Sequence, residues 1–268
     1  MDRRTFLATA ATGVLAIACS GGDEPSGART STTNSTGTTN STGTTATSAS
    51  PSTSTPPPST SAPAPARFVS TGPHDAPRVA LTFHTNGDLG LVEQLLDRLS
   101  ARRVVVTTFI VGEWLDANPT FAKKIVDGGH ELANHTYTHP SFLSLGQDAM
   151  RDEIVRCRDV ITRLTGEPAT FFRPSGTDDG TATPPQVVLD VAGAAGYPRV
   201  LGFDVDPLDY QDPGAPAITQ RTLAAVGHGS IVSLHFGHAG TVAAIPGILD
   251  GLEAKGLTPV TASKLLAS

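Results

Sequence analysis

Two histidines four residues apart are the first feature of this sequence that could support chemistry. His135 and His139 lie in the segment "NHTYTH", directly after a short apolar run. In a helical turn, a spacing of four residues places both side chains on one face. Neutral imidazoles bind Zn, Co or Ni, so the pair is a candidate metal site; the alternative is two surface histidines. The metalloprotease pattern His-Glu-x-x-His is excluded, because Thr136 follows His135.

The elements that must position these histidines are short β-type runs that alternate with helical patterns. The predicted strands cover residues 78–83, 104–111, 130–134, 169–173, 199–203, 230–235 and 257–260. Helices between strands imply parallel pairing with right-handed crossovers, in either a barrel or an open doubly wound sheet. Cys157 falls in one of the helical patterns and is predicted to be an inert buried thiol.

Other ionisable residues stand at or just past the ends of these strands. They are His84, Arg173, the segment 204–209 and His235. In α/β barrels the carboxyl ends of the strands form the rim where active sites are assembled. We therefore interpret these residues, together with the histidine pair, as one site.

Composition separates an N-terminal region from the rest of the chain. Residues 1–19 contain "RRTFL", a short apolar run and "AIAC", which resemble a twin-arginine lipoprotein signal ending at Cys19. Residues 20–66 are rich in Ser, Thr, Pro and Gly and are predicted to be a disordered linker. Residues 67–268 are the predicted catalytic domain. This organisation predicts an exported protein held at the bacterial cell surface by a lipid anchor; the alternative is an ordinary secretory signal.

Charge argues against one class of partner. The formal net charge is −6, and no basic stripe is available to neutralise phosphates. Binding to nucleic acid is therefore not expected.

Four motifs, in order along residues 77 to 266, resemble the polysaccharide deacetylase family, also known as the NodB homology domain or carbohydrate esterase family 4. They are "NHTYTH", "FFRPSG", "DPLDY" and "SIVSLH". The resemblance implies a distorted (β/α)7 barrel, which agrees with the seven predicted strands. It also implies a hydrolase that uses one divalent metal, zinc with Co or Ni as alternatives, to remove acetyl groups from N-acetylglucosamine polymers.

The resemblance implies roles for individual residues as well. His135 and His139 are implied as metal ligands and His235 as the general acid, supported by Asp209. Arg173 would orient or balance the base. Structural alternatives remain: His235 could merely end its strand, and Arg173 and Asp206 could form an ion pair.

The wall of the acetyl pocket differs from that of the family. Tyr210 stands where the family has tryptophan, and Ser233 replaces a leucine of the same pocket. Tyr210 and Asp206 are predicted to contact the substrate. The altered residues after Pro174, Ser175 to Thr177, predict an oxyanion hole that is built differently.

The first family motif, Thr-Phe-Asp-Asp-Gly, is changed here to "TFHTNGD". His84 stands at the position of the catalytic base and Thr85 at that of a metal ligand, with Asp88 as the nearest carboxylate. In one interpretation Asp88 becomes the metal ligand and His84 the base or an extra ligand. In a second, Asp88 is the base and His84 joins a three-histidine metal site. In a third, catalysis is lost and the domain only binds glycan; Asp88 could also be simply a helix N-cap.

The expected function is therefore metal-dependent removal of acetyl groups from peptidoglycan or a chitin-like oligomer. An inactive glycan-binding protein and an O-acetyl esterase are the alternatives.

Overall fold

The computed structural model describes residues 63–177 and 180–267. The predicted signal with Cys19 and the predicted linker as far as residue 62 lie outside the described residues. Ordered packing begins before Arg67: Ala66 is buried, and its N–H donates to the carbonyl of Leu189. None of the described helices is long and apolar enough to cross a bilayer.

Strands and helices alternate along most of the described chain. The strands are β1 (Arg67–Val69), β2 (Arg78–Thr85), β3 (Thr107–Ile110), β4 (Glu131–Asn134), β5 (Arg199–Leu201), β6 (Ile231–His235) and β7 (Thr258–Val260). The helices are α1 (Leu89–Ala101), α2 (Gly112–Ala117), α3 (Thr120–Asp127), α4 (Gln147–Thr165), α5 (Gln186–Ala194), α6 (Ala215–Ala225), α7 (Ala239–Ala254) and α8 (Ala262–Leu265). Short 3-10 helices cover Phe142–Ser144 and Asp209–Gln211.

All strand pairings are parallel, as the alternation of strands and helices predicted. One sheet has the order β4-β3-β2-β6, with β7 also paired to β2, and β1 pairs with β5. Single bridges through Phe172 link β4 to β5. The α/β class with a parallel sheet is thus confirmed, while closure into a seven-stranded barrel stays a prediction.

Two strand assignments differ from the prediction. In the segment 169–173 only Phe172 pairs, through isolated bridges to Asn134 and Val200. The next residue, Arg173, bonds to both flanking strands: its N–H donates to the carbonyl of Asn134 at the end of β4, and its Nε donates to the carbonyl of Leu201 in β5. Part of the pairing is thus made by a side chain instead of a regular backbone ladder. Conversely, β1 was not predicted, because "RFV" is too short to show a periodic pattern.

Strand β2 lies between two apolar layers, and its carboxyl end carries the predicted site residue His84. Val79, Leu81 and Phe83 are buried in the layer that includes the apolar faces of the helices, which also contains Cys157 as predicted. Ala80 lies in the second layer, on the opposite face of the strand. Because side chains alternate along a strand, Thr82 and His84 share this face with Ala80. Burial of each large apolar side chain contributes about 1.5–3 kcal/mol, so this alternation holds the register of β2.

Two glycines bring the β2–α1 and β6–α7 loops into contact above the sheet. Gly87 and Gly237 both have positive φ, and a Cβ on Gly87 would lie 2.7 Å from the Cα of Gly237. Any other residue at either position would therefore be strained and would push the loops apart. This contact fixes the loop that follows His84 beside the one that follows His235.

Candidate functional site

A cavity of about 340 Å³ opens at the carboxyl ends of β2, β4 and β6. It brings together seven of the predicted site residues: His84, His135, His139, Arg173, Asp206, Tyr210 and His235. Their positions at the ends of predicted strands indicated that these residues would lie together, because parallel strands present their carboxyl ends at one edge of the sheet. Two further predicted residues, Asp209 and Asp88, do not line the cavity.

Asp209 lies directly behind His235. Its Oδ1 is 2.7 Å from His235 Nδ1, and its Oδ2 accepts from the backbone N–H of His235 at 2.8 Å and from Thr241 Oγ1 at 2.7 Å. Asp209 is fully buried, so these bonds hold the carboxylate in place. A carboxylate in this position requires that His235 carry a proton on Nδ1, which leaves Nε2 to face the cavity.

His84 joins this pair through its own ring. Its Nδ1 lies 2.9 Å from His235 Nε2, and its Nε2 lies 2.9 Å from Arg173 Nη1. A guanidinium only donates, so Nε2 of His84 accepts and its proton sits on Nδ1. That proton is donated to Nε2 of His235. One continuous chain therefore runs from Arg173 through His84 and His235 to Asp209, with both histidines neutral. Burial, followed by the neighbouring His135, keeps the pKa of His84 well below its ordinary value.

Arg173 is almost completely buried and has no carboxylate among its hydrogen-bond partners in the described chain. Besides His84 it donates to Thr82 Oγ1 and to the carbonyls of Leu201 and Gly202. Burial lowers the pKa of Arg173 to about 9, and the more distant Asp206 opposes this shift. The alternative interpretation, an ion pair between Arg173 and Asp206, is not found as a direct contact in the described chain, and Asp206 affects Arg173 only through its electric field.

His135 is oriented as a metal-binding histidine would be. Its Nδ1 lies 2.9 Å from the carbonyl of Arg173, so this nitrogen carries the proton. Its Nε2 is buried and has no hydrogen-bond partner among the described residues. Burial, together with the nearby His139, holds the pKa of His135 well below its ordinary value. A neutral ring with a free lone pair results.

The loop that carries the histidine pair is not a helix. Asn134 ends β4, and both Thr136 and His139 have positive φ, an uncommon conformation for such residues. The rings of His135 and His139 nevertheless approach to 4.9 Å between centroids. The prediction that both imidazoles share one face is met by a strained loop rather than a helical turn.

Glu153 holds this loop, and the sequence analysis missed it. Its carboxylate accepts from the N–H groups of Tyr137 and Thr138, and from the Thr138 hydroxyl, all at 2.8 Å. Glu153 lies in the amphipathic pattern of α4, where a buried carboxylate is not expected. Only its place on the apolar face of that helix could have signalled a buried role.

The donors in the cavity fit part of a divalent metal site. His135 and His139 present imidazoles of the type that zinc prefers. Within residues 63–177 and 180–267, no group of three or more His, Cys, Asp or Glu side chains is arranged to hold a metal ion. The histidine pair would supply two ligands to such an ion, and a third would have to come from a side chain that moves.

Asp88, the predicted third ligand, is placed elsewhere. It is the N-cap of α1, and its Oδ1 accepts from the N–H of Leu91 at 3.0 Å. This is the helix-capping role that the sequence also allows for Asp88. To reach His135, the carboxylate would have to leave the cap.

Asp206 and Tyr210 also line the cavity, Asp206 half-buried and Tyr210 exposed. Asp206 accepts from the N–H of Leu208 at 2.8 Å, and burial raises the pKa of its carboxyl. The Tyr210 ring is 45% exposed and lies 5.3 Å from the His235 ring, centroid to centroid. An exposed aromatic face beside a polar cavity can stack on a sugar ring.

The fold and the site together define a class of protein. This is an α/β domain whose parallel strands carry, at their carboxyl ends, the His235–Asp209 pair and a further imidazole, that of His135, which has a free lone pair suited to binding a metal. Such an arrangement can support hydrolysis by general acid–base catalysis.

Comparison with known proteins narrows the class to a family. The family model for polysaccharide deacetylases matches residues 71–200. A peptidoglycan-N-acetylglucosamine deacetylase of Bacillus cereus is 31% identical over 198 residues, which are 72% of this chain and 70% of the relative. The chain therefore belongs to the polysaccharide deacetylase family, as its motifs predicted.

Solved structures agree with this assignment. The Bc1960 peptidoglycan N-acetylglucosamine deacetylase superposes with a TM-score of 0.68 at 29% identity, over 75% of this chain and 93% of the other. A pseudoenzyme of carbohydrate esterase family 4 from Bacillus anthracis superposes with a TM-score of 0.68 at 26% identity, over 74% and 68%. Similarity thus extends to both active and inactive members.

Proposed function

We propose that this domain binds N-acetylglucosamine polymers of the cell wall, peptidoglycan before chitin-like oligomers, and hydrolyses their acyl amides. The observation that carries the proposal is the Asp209–His235 pair, which faces the same cavity as the free Nε2 of His135. The similarity to the peptidoglycan deacetylase of Bacillus cereus supports the choice of polymer.

The residues of the cavity have distinct parts in this reaction. His235 delivers a proton to the departing amine, and Asp209 stabilises the imidazolium that precedes this step. Tyr210 and Asp206 bind the sugar at the mouth of the cavity. His84 occupies the place of the base, and because its Nδ1 already carries a proton, it can accept another only on Nε2, after it gives up the bond from Arg173.

His135 and His139 would hold the divalent ion, zinc first and Co or Ni as alternatives. When bound, the ion would act as a Lewis acid on the acyl carbonyl. A role for Asp88 as third ligand stays a prediction, since it requires loss of the α1 cap. Export and anchoring through Cys19 also stay predictions, and they would place the domain beside its polymer.

A second function is favoured by one observation. Both ring nitrogens of His84 are engaged, and no carboxylate stands at the base position. This supports glycan binding without hydrolysis, as in a pseudoenzyme. O-deacetylation remains the third alternative, since an ester is cleaved by the same groups.

One experiment separates these functions. The zinc-loaded protein is incubated with N-acetylchitotetraose and with muropeptide-containing peptidoglycan fragments, while released acetate and binding heat are both measured. We expect acetate release from the wild type and a loss of about 100-fold or more in His235→Ala. Binding without any acetate release would establish the second function, and the absence of both would refute the proposal.

A further inference from the structure

Ser233 lies at the inner end of the site cavity, on the same face of β6 as His235. It lines the cavity and is almost completely buried, with 1% of its surface exposed. The adjacent residues Val232 and Leu234 point the other way, into the apolar layer that contacts the helices. Two residues along a strand span about 7 Å, so Ser233 lies one side-chain layer deeper than His235.

The hydroxyl of Ser233 has no hydrogen-bond partner in the described part of the chain. The nearest paired residue across the sheet, Thr82, uses its own hydroxyl to donate to Val232 and to accept from Arg173. A buried polar group without a partner is destabilising, and native structures rarely retain one without a reason. Besides Ser233, the other such side chain among the described residues is His135, which lines the same cavity.

From the exposed Tyr210, the cavity extends past His235 to the buried Ser233, and this order decides which part of a substrate reaches Ser233. The sugar must remain at the mouth, where the Tyr210 ring is exposed. The bond to be cleaved must lie within reach of His235 Nε2. The acyl group of the amide therefore points past His235 toward the floor, where Ser233 stands.

We propose that Ser233 determines acyl specificity and favours N-hydroxyacetyl (glycolyl) groups over N-acetyl groups; this inference rests on the proposed function. The methyl of an acetyl group cannot bond to the Ser233 hydroxyl and leaves it unpaired. The hydroxyl of a hydroxyacetyl group can both donate to it and accept from it. The small serine side chain also leaves room for the additional oxygen. Sites built to bond a substrate hydroxyl discriminate against analogues that lack it, because their own polar groups are then unpaired.

The reaction itself stays a simple hydrolysis. One water molecule is consumed, the amide C–N bond breaks and a C–O bond to the acyl carbon forms. The amine of the sugar takes up a proton, and hydroxyacetate leaves in place of acetate. No oxidant, reductant or further reactant is needed.

Binding affinity tests this inference without relying on turnover. Dissociation constants of N-acetyl- and N-glycolyl-chitotetraose are measured by calorimetry for the wild type, Ser233→Ala and Ser233→Leu. We expect the wild type to bind the glycolyl oligomer about fivefold to tenfold more tightly. Ser233→Ala should abolish this preference, and Ser233→Leu should reverse it in favour of the acetyl oligomer.

Ser233→Ala introduces no added bulk, so it keeps the test valid if the leucine variant fails to fold. Equal affinities in the wild type, or a preference that survives in Ser233→Ala, would overturn the inference while leaving the proposed function intact. If neither oligomer binds the wild type, the proposed function fails and the inference fails with it.

Discussion

The Nδ1 of His84 donates to the Nε2 of His235 over 2.9 Å, and this bond occupies the nitrogen that a general acid must use. The bond follows from Arg173, whose donation to Nε2 of His84 places the proton of that ring on Nδ1. His235 can become protonated on Nε2 only if His84 releases it. Histidine in place of the family's aspartate at position 84 thus affects both the general base and the general acid of the site.

His84→Asp should release His235 and provide a carboxylate beside Arg173. We expect acetate release from N-acetylchitotetraose by the zinc-loaded protein to rise about 100-fold, within the range of general base catalysis.

The matched control for this gain is His84→Asn, which has the shape of aspartate but is not a base. It should also break the bond to His235 without raising the rate. If the asparagine and aspartate variants behave alike, position 84 is not the site of the base.

Asp209→Asn tests the support for His235. The amide keeps the volume of the carboxylate but cannot stabilise an imidazolium, so acetate release should fall about 100-fold or more. Thr241→Val is the control, because it removes one bond to Asp209 and touches no other member of the chain. It should cost about 1 kcal/mol of stability and leave most of the rate. Equal losses in both variants would mean that Asp209 acts mainly in folding.

Much of the site was predictable because it depends on strand ends. Strands β2, β4 and β6 end at or next to His84, Asn134 and His235, and parallel pairing brings such ends together whatever their sequence. What could not be predicted depends on loop geometry and on single hydrogen bonds. The bond between His84 and His235 joins residues about 150 positions apart, and no local pattern encodes it.

The role of Asp88 could not be predicted from the sequence either. The residue type suits both a metal ligand and an N-cap, and only the bond to Leu91 distinguishes the two in the structure. The strand number left a barrel and an open sheet as alternatives, and only the family resemblance implied a barrel. The pairing that would decide between them depends on short segments such as 169–173, where only Phe172 forms bridges.

Asp88→Asn separates capping from metal binding, because asparagine caps helices about as well as aspartate. From the cap geometry we expect unchanged zinc affinity and a change in the free energy of unfolding within about 0.5 kcal/mol. Asp88→Ala should cost about 1 kcal/mol through loss of the cap. His135→Ala, measured in the same zinc titration, should lower affinity at least tenfold. A similar loss in Asp88→Asn would instead establish the carboxylate as a ligand.

His130 should make the fold sensitive to acid independently of the site. Its Nδ1 accepts from the N–H of Val106 at 3.2 Å, and burial lowers the pKa of the ring below the usual 6.5. The folded state therefore binds fewer protons than the unfolded state below pH 6.5. The contribution of His130 is complete above that pH and is lost as the pH falls toward the lowered folded pKa.

The measurement is the free energy of unfolding by urea between pH 7 and pH 5, with a chelator present, for the wild type and His130→Gln. Glutamine can accept from Val106 but does not titrate in this range. We expect the wild type to lose stability on acidification more steeply than the variant, by up to about 1.4 kcal/mol per pH unit. His84, His135 and His139 also have lowered pKa values and shift both curves in the same direction, so the difference isolates His130. Parallel curves would show that His130 takes up its proton as readily in the folded protein as in the unfolded chain.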